Sequence, residues 1–388
     1  MENIKQKPKI ALMSYAMDNR QAKGTALYTR KLIEGLLADN NFEFYLIHYE
    51  KVDDLLYKKA HEIIMPRIRL PYGSRFVSQL LFFWKYRKNK FDIIHWFQPR
   101  LYPFYWLAPA KKIVVTVHGA GEVYAPLYFI FSRAVFNFIL IHFHKWIDMA
   151  IADCENAKFE IMKYYRFSAN RVQSIYLGGG ENYKFIEKFK AKEAVSKKYG
   201  ILAPYILDVS RLQPHKNIVA LINAYDAMRR WDASRKEKLV IVGVSACEGR
   251  TDEYDAVKRS AFAKDIIFID YVDSEDLNAI YSGSELFVFP SLSEGFGLPV
   301  LEAMASGTPV ITSNTTSLPE IAGDAAITVD PLDADAIAKA MMRVLIDKDL
   351  ASSMVESGFR RAAEFTWKKT ADQTKDLYNK LLKNNGAE

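Results

Sequence analysis

Residues 286–302 read LFVFPSLSEGFGLPVLE, and this stretch predicts a buried strand, a tight loop and a helix in succession. The apolar run Leu286–Phe289 has the length of a short parallel strand, and Pro299 suits the first turn of a helix. Gly295 and Gly297 let the loop turn tightly and let a ligand approach its backbone. Because a helix start carries unpaired N–H groups and partial positive charge, this loop predicts an anion site.

Two glutamates frame the same loop. Glu294 precedes the helix and is placed to hold a hydroxyl-rich group, whereas Glu302 lies one turn into the helix. A carboxylate there can accept hydrogen bonds from two hydroxyls. The alternative is an ordinary strand–turn–helix with exposed glutamates. We favour a binding loop because the glycines and both carboxylates converge on one short segment.

The rest of the chain alternates short apolar runs with helical patterns, which is typical of parallel α/β architecture. The predicted strands are Lys9–Met13, Phe42–His48, Ile93–Trp96, Ile113–His118 and Met149–Ala152, then Tyr205–Ser210, Leu239–Val242, Ile266–Ile269, Leu286–Phe289, Val310–Thr312 and Ile327–Val329. The stretch 178–192, GGGENYKFIEKFKAK, predicts a linker between an N-terminal domain, 1–180, and a C-terminal domain, 181–367. Two such sheets predict a ligand cleft at the carboxyl ends of their strands.

Composition narrows the class of protein. With 388 residues, of which 50% are hydrophobic and 26% charged, the chain fits about two globular domains and excludes disorder as the main state. Two cysteines, Cys154 and Cys247, exclude a disulfide framework or a cysteine-rich metal site. The N-terminal sequence has no apolar core of the secretory type, so we expect a reducing, cytoplasmic setting.

The net charge of +7 is concentrated in one segment. Residues 63–147 contain twelve Lys or Arg and two acids, a balance of +10, together with 21 of the 52 aromatic residues. Phe76, Val77, Leu80, Leu81 and Trp84 fall on one helical face with basic residues at its ends, which favours contact with an anionic membrane. The alternative is that this stripe is the domain's own core or a dimer contact, and that the basic residues attract an anionic soluble acceptor.

A second motif, Val209-Ser-Arg-Leu-Gln-Pro-His-Lys-Asn217, again joins a strand end to a helix start. Arg211 and Lys216 flank its Pro-containing turn. A guanidinium binds phosphate through two hydrogen bonds and a lysine supplies a mobile point charge. Either cation alone is usually solvated, but the pair on one loop favours diphosphate binding.

The first half carries weaker signals. His118-Gly119 closes a strand, and such a histidine is as often structural as functional. Gly24 precedes the first helix, where a glycine can simply cap. A polar loop at 313–320 has hydroxyls and amides suited to sugar contacts, although such loops are often only solvated.

No metal site is predicted. Asp333 and Asp335 have the spacing of a metal-binding pair, but they precede a helical run and are better explained as a helix cap. His142 and His144 have no carboxylate or cysteine nearby in the sequence. We therefore expect neither a metal nor another cofactor.

Three other functions leave residues unexplained. A glycosidase would use the two carboxylates but not the Arg/Lys loop. An NAD-dependent enzyme needs Gly-x-Gly-x-x-Gly after the first strand, where only Gly24 is found. A nucleic-acid binder would use the basic segment alone, so no nucleic-acid partner is expected.

Taken together, these motifs resemble the family 4 retaining glycosyltransferases of the GT-B fold, in which two Rossmann-like domains face each other across a cleft. The resemblance is dense from about Tyr205 to Asp330 and sparser before it. One departure is Lys23-Gly24, where the family often has two glycines. The resemblance implies a helix at 368–384 that packs back on the first domain.

The resemblance also implies roles for individual residues. Catalytic roles fall to Glu294, His118, Arg211 and Lys216, and donor binding to Glu302, Gly24, Gly295, Phe296, Gly297, Leu298 and Val272. Glu302 is expected to hold the ribose and Val272 to lie near the base. The implied function is retaining transfer of a hexosyl group from a nucleotide-diphosphate sugar to a glycan or lipid-linked acceptor, at the inner face of the membrane. The alternative is a phosphorylase of the same fold, or a nucleotide-sugar enzyme with a soluble acceptor.

Overall fold

The computed structural model describes residues 6–18, 24–66, 68, 74–98, 104–119, 138, 140–202, 204–243, 252–270 and 272–383. The chain divides into two compact units. The first contains residues 1–177 and 367–388, and the second contains residues 178–366.

The first unit is built on a seven-stranded parallel sheet with the order β3-β2-β1-β4-β5-β6-β7. Its strands are β1 (Lys9–Met13), β2 (Glu43–His48), β3 (His61–Ile64), β4 (Phe91–Trp96), β5 (Ala110–Val117), β6 (Met149–Ala152) and β7 (Val172–Ser174). Its helices are α1 (Thr25–Leu36), α2 (Ser74–Tyr86), α3 (Glu155–Tyr165) and, from the end of the chain, α12 (Trp367–Lys383). The apolar side chains of β1 and β4 are almost fully buried, as expected for interior strands of a parallel sheet.

The second unit has a six-stranded parallel sheet with the order β10-β9-β8-β11-β12-β13. Its strands are β8 (Tyr205–Val209), β9 (Lys238–Val242), β10 (Ile266–Ile269), β11 (Leu286–Phe289), β12 (Val310–Ser313) and β13 (Ala326–Val329). Its helices are α4 (Lys188–Tyr199), α5 (Ile218–Trp231), α6 (Asp252–Arg259), α7 (Ser274–Gly283), α8 (Leu298–Ala305), α9 (Leu318–Ala322), α10 (Ala334–Ile346) and α11 (Lys348–Ala363).

Each sheet reverses its strand order once. The reversal lies between β1 and β4 in the first unit and between β8 and β11 in the second. In open α/β sheets ligands bind at such points, beyond the carboxyl ends of the strands, because the connections leave toward opposite faces. The loops that follow β8 and β11 are therefore the first places to look for a site.

The predicted parallel α/β architecture is confirmed, but several elements differ from their predictions. The six strands of the second half were all predicted, whereas the edge strands β3 and β7 were not. The boundary between the two units lies at the start of the predicted linker at 178–192, but the segment is not an open linker, because Gly178–Gly180 are buried and Lys188 begins α4. A Cβ at Gly179 would lie 2.8 Å from Leu301 Cδ1, so this segment packs closely on α8. Part of the basic and aromatic segment 63–147, namely residues 120–137, lies outside the described residues.

The C-terminal helix α12 packs on α1 within the first unit. Thr370 Oγ1 donates to the carbonyl oxygen of Tyr176 over 2.8 Å, and the Tyr378 hydroxyl lies 2.6 Å from Nδ1 of the buried His95. The closest approach is at Gly35, where an added Cβ would lie 2.5 Å from the Cβ of Ala371. This spacing requires a residue without a side chain at position 35.

Gly35→Ala should therefore destabilise the first unit, although glycine-to-alanine changes inside helices usually stabilise by roughly 0.5–1 kcal/mol. We expect a loss of about 1–3 kcal/mol from overpacking, measured by chemical denaturation. The double variant Gly35→Ala/Ala371→Gly, which returns the space, is expected to recover most of this loss. A Gly35→Ala variant at least as stable as the original protein would contradict the proposed packing.

Candidate active site

Three loops meet at the carboxyl edge of the second sheet, following the neighbouring strands β8, β11 and β12. The backbone N–H of Leu292 donates to the carbonyl oxygen of His215 over 2.7 Å, and Ser291 Oγ donates to the same oxygen over 2.9 Å. Asn217 Nδ2 donates to the carbonyl oxygen of Pro290 over 3.1 Å. The two motifs that the sequence singled out in the second half therefore lie side by side.

An ion pair connects these two motifs directly. Lys216 Nζ lies 2.6 Å from Glu294 Oε1, and the two side chains are only 15% and 14% exposed. The ammonium also lies 5.0 Å from the centre of the Phe289 ring, close enough for a cation–π contact. A lysine is held with little freedom at the point where the strand order reverses, and its charge is balanced by a carboxylate.

The loop from Glu294 to Gly297 is held by the loop that follows β12. The Glu294 N–H donates to Thr316 Oγ1 over 3.1 Å, and Ser317 Oγ donates to the carbonyl oxygens of Glu294 and Phe296 over 3.0 and 2.8 Å. Gly295 lies half-buried between these anchored positions. The polar loop at 313–320 thus fixes the conformation of the first motif.

Gly297 is the N-cap of helix α8 and has a backbone conformation that only glycine adopts readily. Its φ is +112°, and an added Cβ would lie 2.8 Å from Leu318 Cδ2. Leu298 is the first residue of the helix and Pro299 follows it, as expected for a helix start. The helix therefore starts where the sequence predicts it. Its first N–H groups belong to Leu298 and to the residues after Pro299.

Glu302 lies one turn into α8 and is half-buried. The hydroxyl of Tyr281, on α7, donates to Glu302 Oε2 over 2.9 Å. The hydroxyl of Tyr183 is hydrogen-bonded to the same carboxylate. Neither tyrosine was singled out by the sequence, since neither lies in a recognisable motif.

Arg211 and Val272 lie in the loops that follow β8 and β10. Arg211 is exposed, and Val272 is 3% exposed, while Tyr271 lies outside the described residues. Between these loops, Gly243 ends β9 with a φ of +107°, and an added Cβ would lie 2.8 Å from the carbonyl oxygen of Ser210. This close approach brings the ends of β8 and β9 together beside Arg211.

Asp208 is an ionisable residue of this site that sequence reasoning missed. It lies fully buried in β8, accepts from Ser210 Oγ over 2.5 Å, and its Oδ2 has no hydrogen-bond partner. Burial raises the pKa of Asp208 to about 7, and the negative charge of Glu294 adds to this, whereas Ser210 and Lys216 act in the opposite direction. A charged residue inside a buried strand is the only local sign that could have identified it.

In the first unit, His118 follows β5 and both of its ring nitrogens face acceptors. Nδ1 lies 2.7 Å from Asp153 Oδ2, and Nε2 lies 3.0 Å from the carbonyl oxygen of Phe97. The ring of Tyr28 meets the imidazole edge-on, with centres 4.9 Å apart. The side chain is oriented on three sides, and Asp153, which orients it, was not identified from the sequence.

Gly24 is the N-cap of α1, with a φ of +70°, and its carbonyl oxygen accepts from the N–H of Tyr28. Among the described residues, no atom lies within 4 Å of an added Cβ, so it is the backbone conformation that favours glycine here. The neighbouring Lys23 lies outside the described residues. The donor-binding role of Gly24 and the catalytic role of His118 stay predictions.

The two sets of residues that resembled metal ligands have other partners. Asp333 accepts from the N–H of Ala336 over 2.9 Å, which confirms that it caps α10. Nδ1 of His144 lies 2.9 Å from the carbonyl oxygen of Ile141. Among the described residues, no group of three or more His, Cys, Asp or Glu side chains is arranged to hold a metal ion.

Comparison with known proteins identifies the fold of the chain. The model of glycosyl transferases group 1 matches residues 187–361, and that of glycosyltransferase family 4 matches residues 22–178. Sucrose-phosphate synthase from Thermosynechococcus elongatus superimposes with a TM-score of 0.75, at 22% identity, over 97% of this chain and 100% of that one. The fold is the GT-B pair of Rossmann-like domains, and the expected fold class is confirmed.

Two relatives come from Escherichia coli. O-antigen chain mannosyltransferase B is 30% identical over 282 residues, which are 72% of this chain and 73% of the relative. Serotype-specific mannosyltransferase WbdA is 30% identical over 241 residues, which are 61% of this chain but only 29% of that protein. The chain belongs to the family 4 glycosyltransferases, and it is a glycosyltransferase.

Asp208→Asn should change how the stability of the protein depends on pH. The unfolded aspartate releases its proton near pH 3.8 and the folded one near 7, so between these values the native state holds the proton more tightly. Stability therefore falls as pH rises through this window, by up to roughly 4 kcal/mol from this group. The variant lacks this loss, and its stability advantage over the original protein should grow between about pH 4 and about pH 7 and then level off.

Urea unfolding at several pH values measures the difference in the free energy of unfolding between the original protein and Asp208→Asn. Since asparagine can still hydrogen-bond to Ser210, packing effects of the substitution should be similar at each pH. A difference in stability that stays constant across the window would show that Asp208 does not titrate there.

Proposed function

We propose that this glycosyltransferase moves a hexosyl group, mannosyl in the first instance, from a nucleotide-diphosphate sugar to a hydroxyl of a glycan or lipid-linked acceptor. The acceptor would be a growing envelope polysaccharide, and the anomeric configuration would be retained. The observation that carries the proposal is the pairing of Lys216 with Glu294 at the reversal point of the second sheet. The names of the two relatives support the choice of sugar.

The donor's diphosphate would be bound by Lys216, Arg211 and the start of α8. The buried ion pair keeps the lysine in place, and an incoming diphosphate would offer it a second anionic partner. Arg211 is exposed on the same loop and has a fork of donors that matches phosphate oxygens. The start of α8, which follows Gly297, would add N–H groups and the positive end of the helix dipole.

The donor's sugar and nucleoside would lie on either side of the diphosphate. Glu294 and the backbone of Gly295, Phe296 and Gly297 would contact the hydroxyls of the hexose. Glu302, one turn further along α8, would accept from the ribose hydroxyls. The backbone near Val272 would lie beside the base.

Catalysis would rest on electrostatics. Breaking the sugar–phosphate bond leaves negative charge on the departing diphosphate and positive charge on the sugar ring. Lys216 and Arg211 are placed to stabilise the former, and such preorganised charge is often the largest catalytic term. We favour attack from the same face as the leaving group, with a diphosphate oxygen accepting the acceptor's proton and no divalent metal required.

The diphosphate assignment predicts that Arg211→Ala and Lys216→Ala each lower kcat/KM by about 10²–10³, by analogy with the loss of other groups that stabilise transition-state charge. The assay measures sugar transfer and hydrolysis across GDP-, UDP-, ADP- and dTDP-sugars, with EDTA present throughout. Lys192→Ala is the matched control, because Lys192 forms a comparable 2.5 Å ion pair with Glu285 elsewhere in the same unit.

Near-normal activity of the Arg211/Lys216 double variant would remove the diphosphate assignment. Activity abolished by EDTA and restored by Mg²⁺ or Mn²⁺ would remove metal independence. Release of a sugar phosphate from a glycan, without any use of nucleotide sugars, would instead favour the phosphorylase.

We further propose that the first unit contacts an anionic membrane through an aromatic surface, which we define as Leu81, Trp84, Phe104, Trp106 and Trp146. The predicted stripe on α2 lies only partly in the core of the unit: Trp84 is 65% and Leu81 41% exposed, the other three residues of the stripe are half-buried, and the helix fully buries Phe82 and Phe83 instead. Trp106 and Trp146 are 39% and 45% exposed, and their rings lie 5.8 Å apart.

Basic side chains border the aromatic surface. The Arg87 guanidinium lies 4.4 Å from the centre of the Trp84 ring, and Lys145 Nζ lies 6.0 Å from that of Trp146. Phe76 lies 5.4 Å from Phe104, which connects α2 to the other aromatic residues. In the part of the chain that the structure describes, no helix has the length and apolar character of a membrane span. Apolar rings bordered by cations suit the interface of an anionic bilayer.

Vesicle co-sedimentation tests this contact. We expect binding to phosphatidylglycerol-containing vesicles but not to pure phosphatidylcholine, weakened by salt, since each basic residue near the surface adds roughly 1 kcal/mol. Trp84→Ala/Trp106→Ala should reduce binding, whereas Trp231→Ala, a 48% exposed tryptophan of the second unit, should not. Equal lack of binding to both vesicle types would leave a soluble acceptor as the better proposal.

A further inference from the structure

Two tyrosines from separate segments converge on the carboxylate of Glu302. Tyr281 lies on α7, and its hydroxyl donates to Glu302 Oε2 over 2.9 Å. Tyr183 follows the short 3-10 turn Gly180–Asn182, and its hydroxyl is hydrogen-bonded to the same side chain. The two rings meet edge-on with centres 5.6 Å apart.

Tyr281 is rigidly held. Its side chain is 0% exposed, and its ring packs edge-on against Phe287 of β11 with centres 5.4 Å apart. Its backbone carbonyl oxygen accepts from Ser284 Oγ over 2.7 Å and from Thr308 Oγ1 over 2.6 Å. The hydroxyl of Tyr281 therefore has a fixed position relative to the sheet.

Tyr183 is tied to the same helix as Glu302. Its N–H donates to the carbonyl oxygen of Gly180 over 3.0 Å, and an added Cβ at Gly180 would lie 3.1 Å from the Cβ of Ala305 on α8. The preceding Gly179 packs just as closely on Leu301 of that helix. The segment that carries Tyr183 is thus packed on α8, whereas Tyr281 lies on α7. The two tyrosines therefore approach Glu302 from two different elements.

Both hydroxyls are suited to be permanent donors to a carboxylate. Burial raises the pKa of both tyrosines well above the ordinary value of 10, and the charge of Glu302 raises it further. The hydroxyls therefore stay protonated at neutral pH. An ionised carboxylate has about four acceptor positions, so it can accept from tyrosine hydroxyls and from ribose hydroxyls at the same time.

We propose that Tyr281 and Tyr183 are positioning residues that hold the Glu302 carboxylate ready for the 2′- and 3′-hydroxyls of the donor's ribose, and so set the preference for ribonucleotides. This inference rests on the proposed function, since it assumes that Glu302 meets the nucleoside of a nucleotide-diphosphate sugar. A glutamate side chain has three rotatable torsions, and fixing them before binding lowers the entropy lost in the complex.

The test compares binding of a nucleoside diphosphate with that of its 2′-deoxy analogue, by calorimetry, in the original protein and in Tyr281→Phe. Loss of the hydroxyl should weaken ribonucleotide binding about tenfold, the size expected for a hydrogen bond to a charged group, and 2′-deoxynucleotide binding much less. The ratio of the two affinities should fall toward one. In turnover, KM for the donor should rise while kcat changes little.

Tyr205→Phe is the matched control. Tyr205 is a buried tyrosine of the same unit, but its hydroxyl donates over 2.7 Å to the carbonyl oxygen of Ile280 and not to Glu302. It should lower thermal stability without altering the ratio of affinities. Tyr183→Phe, at a less buried position, serves as a second variant if Tyr281→Phe does not fold.

The outcomes separate this inference from the proposed function. If Glu302→Ala abolishes the preference for ribonucleotides and the tyrosine variants keep it, the tyrosines are only structural and the inference is overturned, while the donor site stands. If the original protein binds ribo- and deoxynucleotides equally, or if Glu302→Ala keeps the preference for ribonucleotides, Glu302 does not bind the ribose. The inference is then wrong as well.

Discussion

The site depends on one constraint, which is that all strands of a parallel sheet end at the same edge. In the second unit the strand order reverses between β8 and β11, so the loops that follow these neighbours begin side by side. Lys216 and Glu294 are 78 positions apart in the chain, yet their charged atoms lie 2.6 Å apart because of this adjacency. The loop after β12 then anchors the Glu294 loop through Thr316 and Ser317. The residues of the site therefore lie together only because their strands are neighbours in this order.

The same edge concentrates buried charge, which is unfavourable for stability and useful for chemistry. Lys216 and Glu294 offset each other, but such a pair costs desolvation energy that a hydrophobic pair would not. Asp208, two positions before Ser210, has an oxygen without a hydrogen-bond partner, and burial raises its pKa to about 7. A site of this kind is more easily explained by binding than by folding, since a charged ligand gains from a cation that, like Lys216, is already partly desolvated and held in place.

The fold was predicted correctly for strands that are buried on both faces. It was missed for elements that are only partly buried and carry few apolar residues. Interior strands such as β11 are covered on both faces, so their apolar runs were recognised. The edge strands β3, HEII, and β7, VQS, have a neighbour on one side only and carry few apolar residues. Helix α4 was taken for a linker because it buries little more than Ala191 and Val195, and its remaining residues are mostly lysine or otherwise polar. The glycines before it were included in the predicted linker, whereas Gly179 and Gly180 pack closely against α8.

The sequence determined the inner strands, the helix starts, the family and the identity of the residues in its motifs, because each of these leaves a pattern within about twenty neighbouring positions. Only the tertiary structure decided that Asp153 orients His118, that Asp208 lies beneath the ion pair, and that Tyr183 and Tyr281 converge on Glu302. Aspartate and tyrosine occur throughout the chain and carry no local sign of these roles. Their partners are set by which strands pair and which helices cover them, and the hydrophobic burial that drives this pairing acts between residues far apart in sequence.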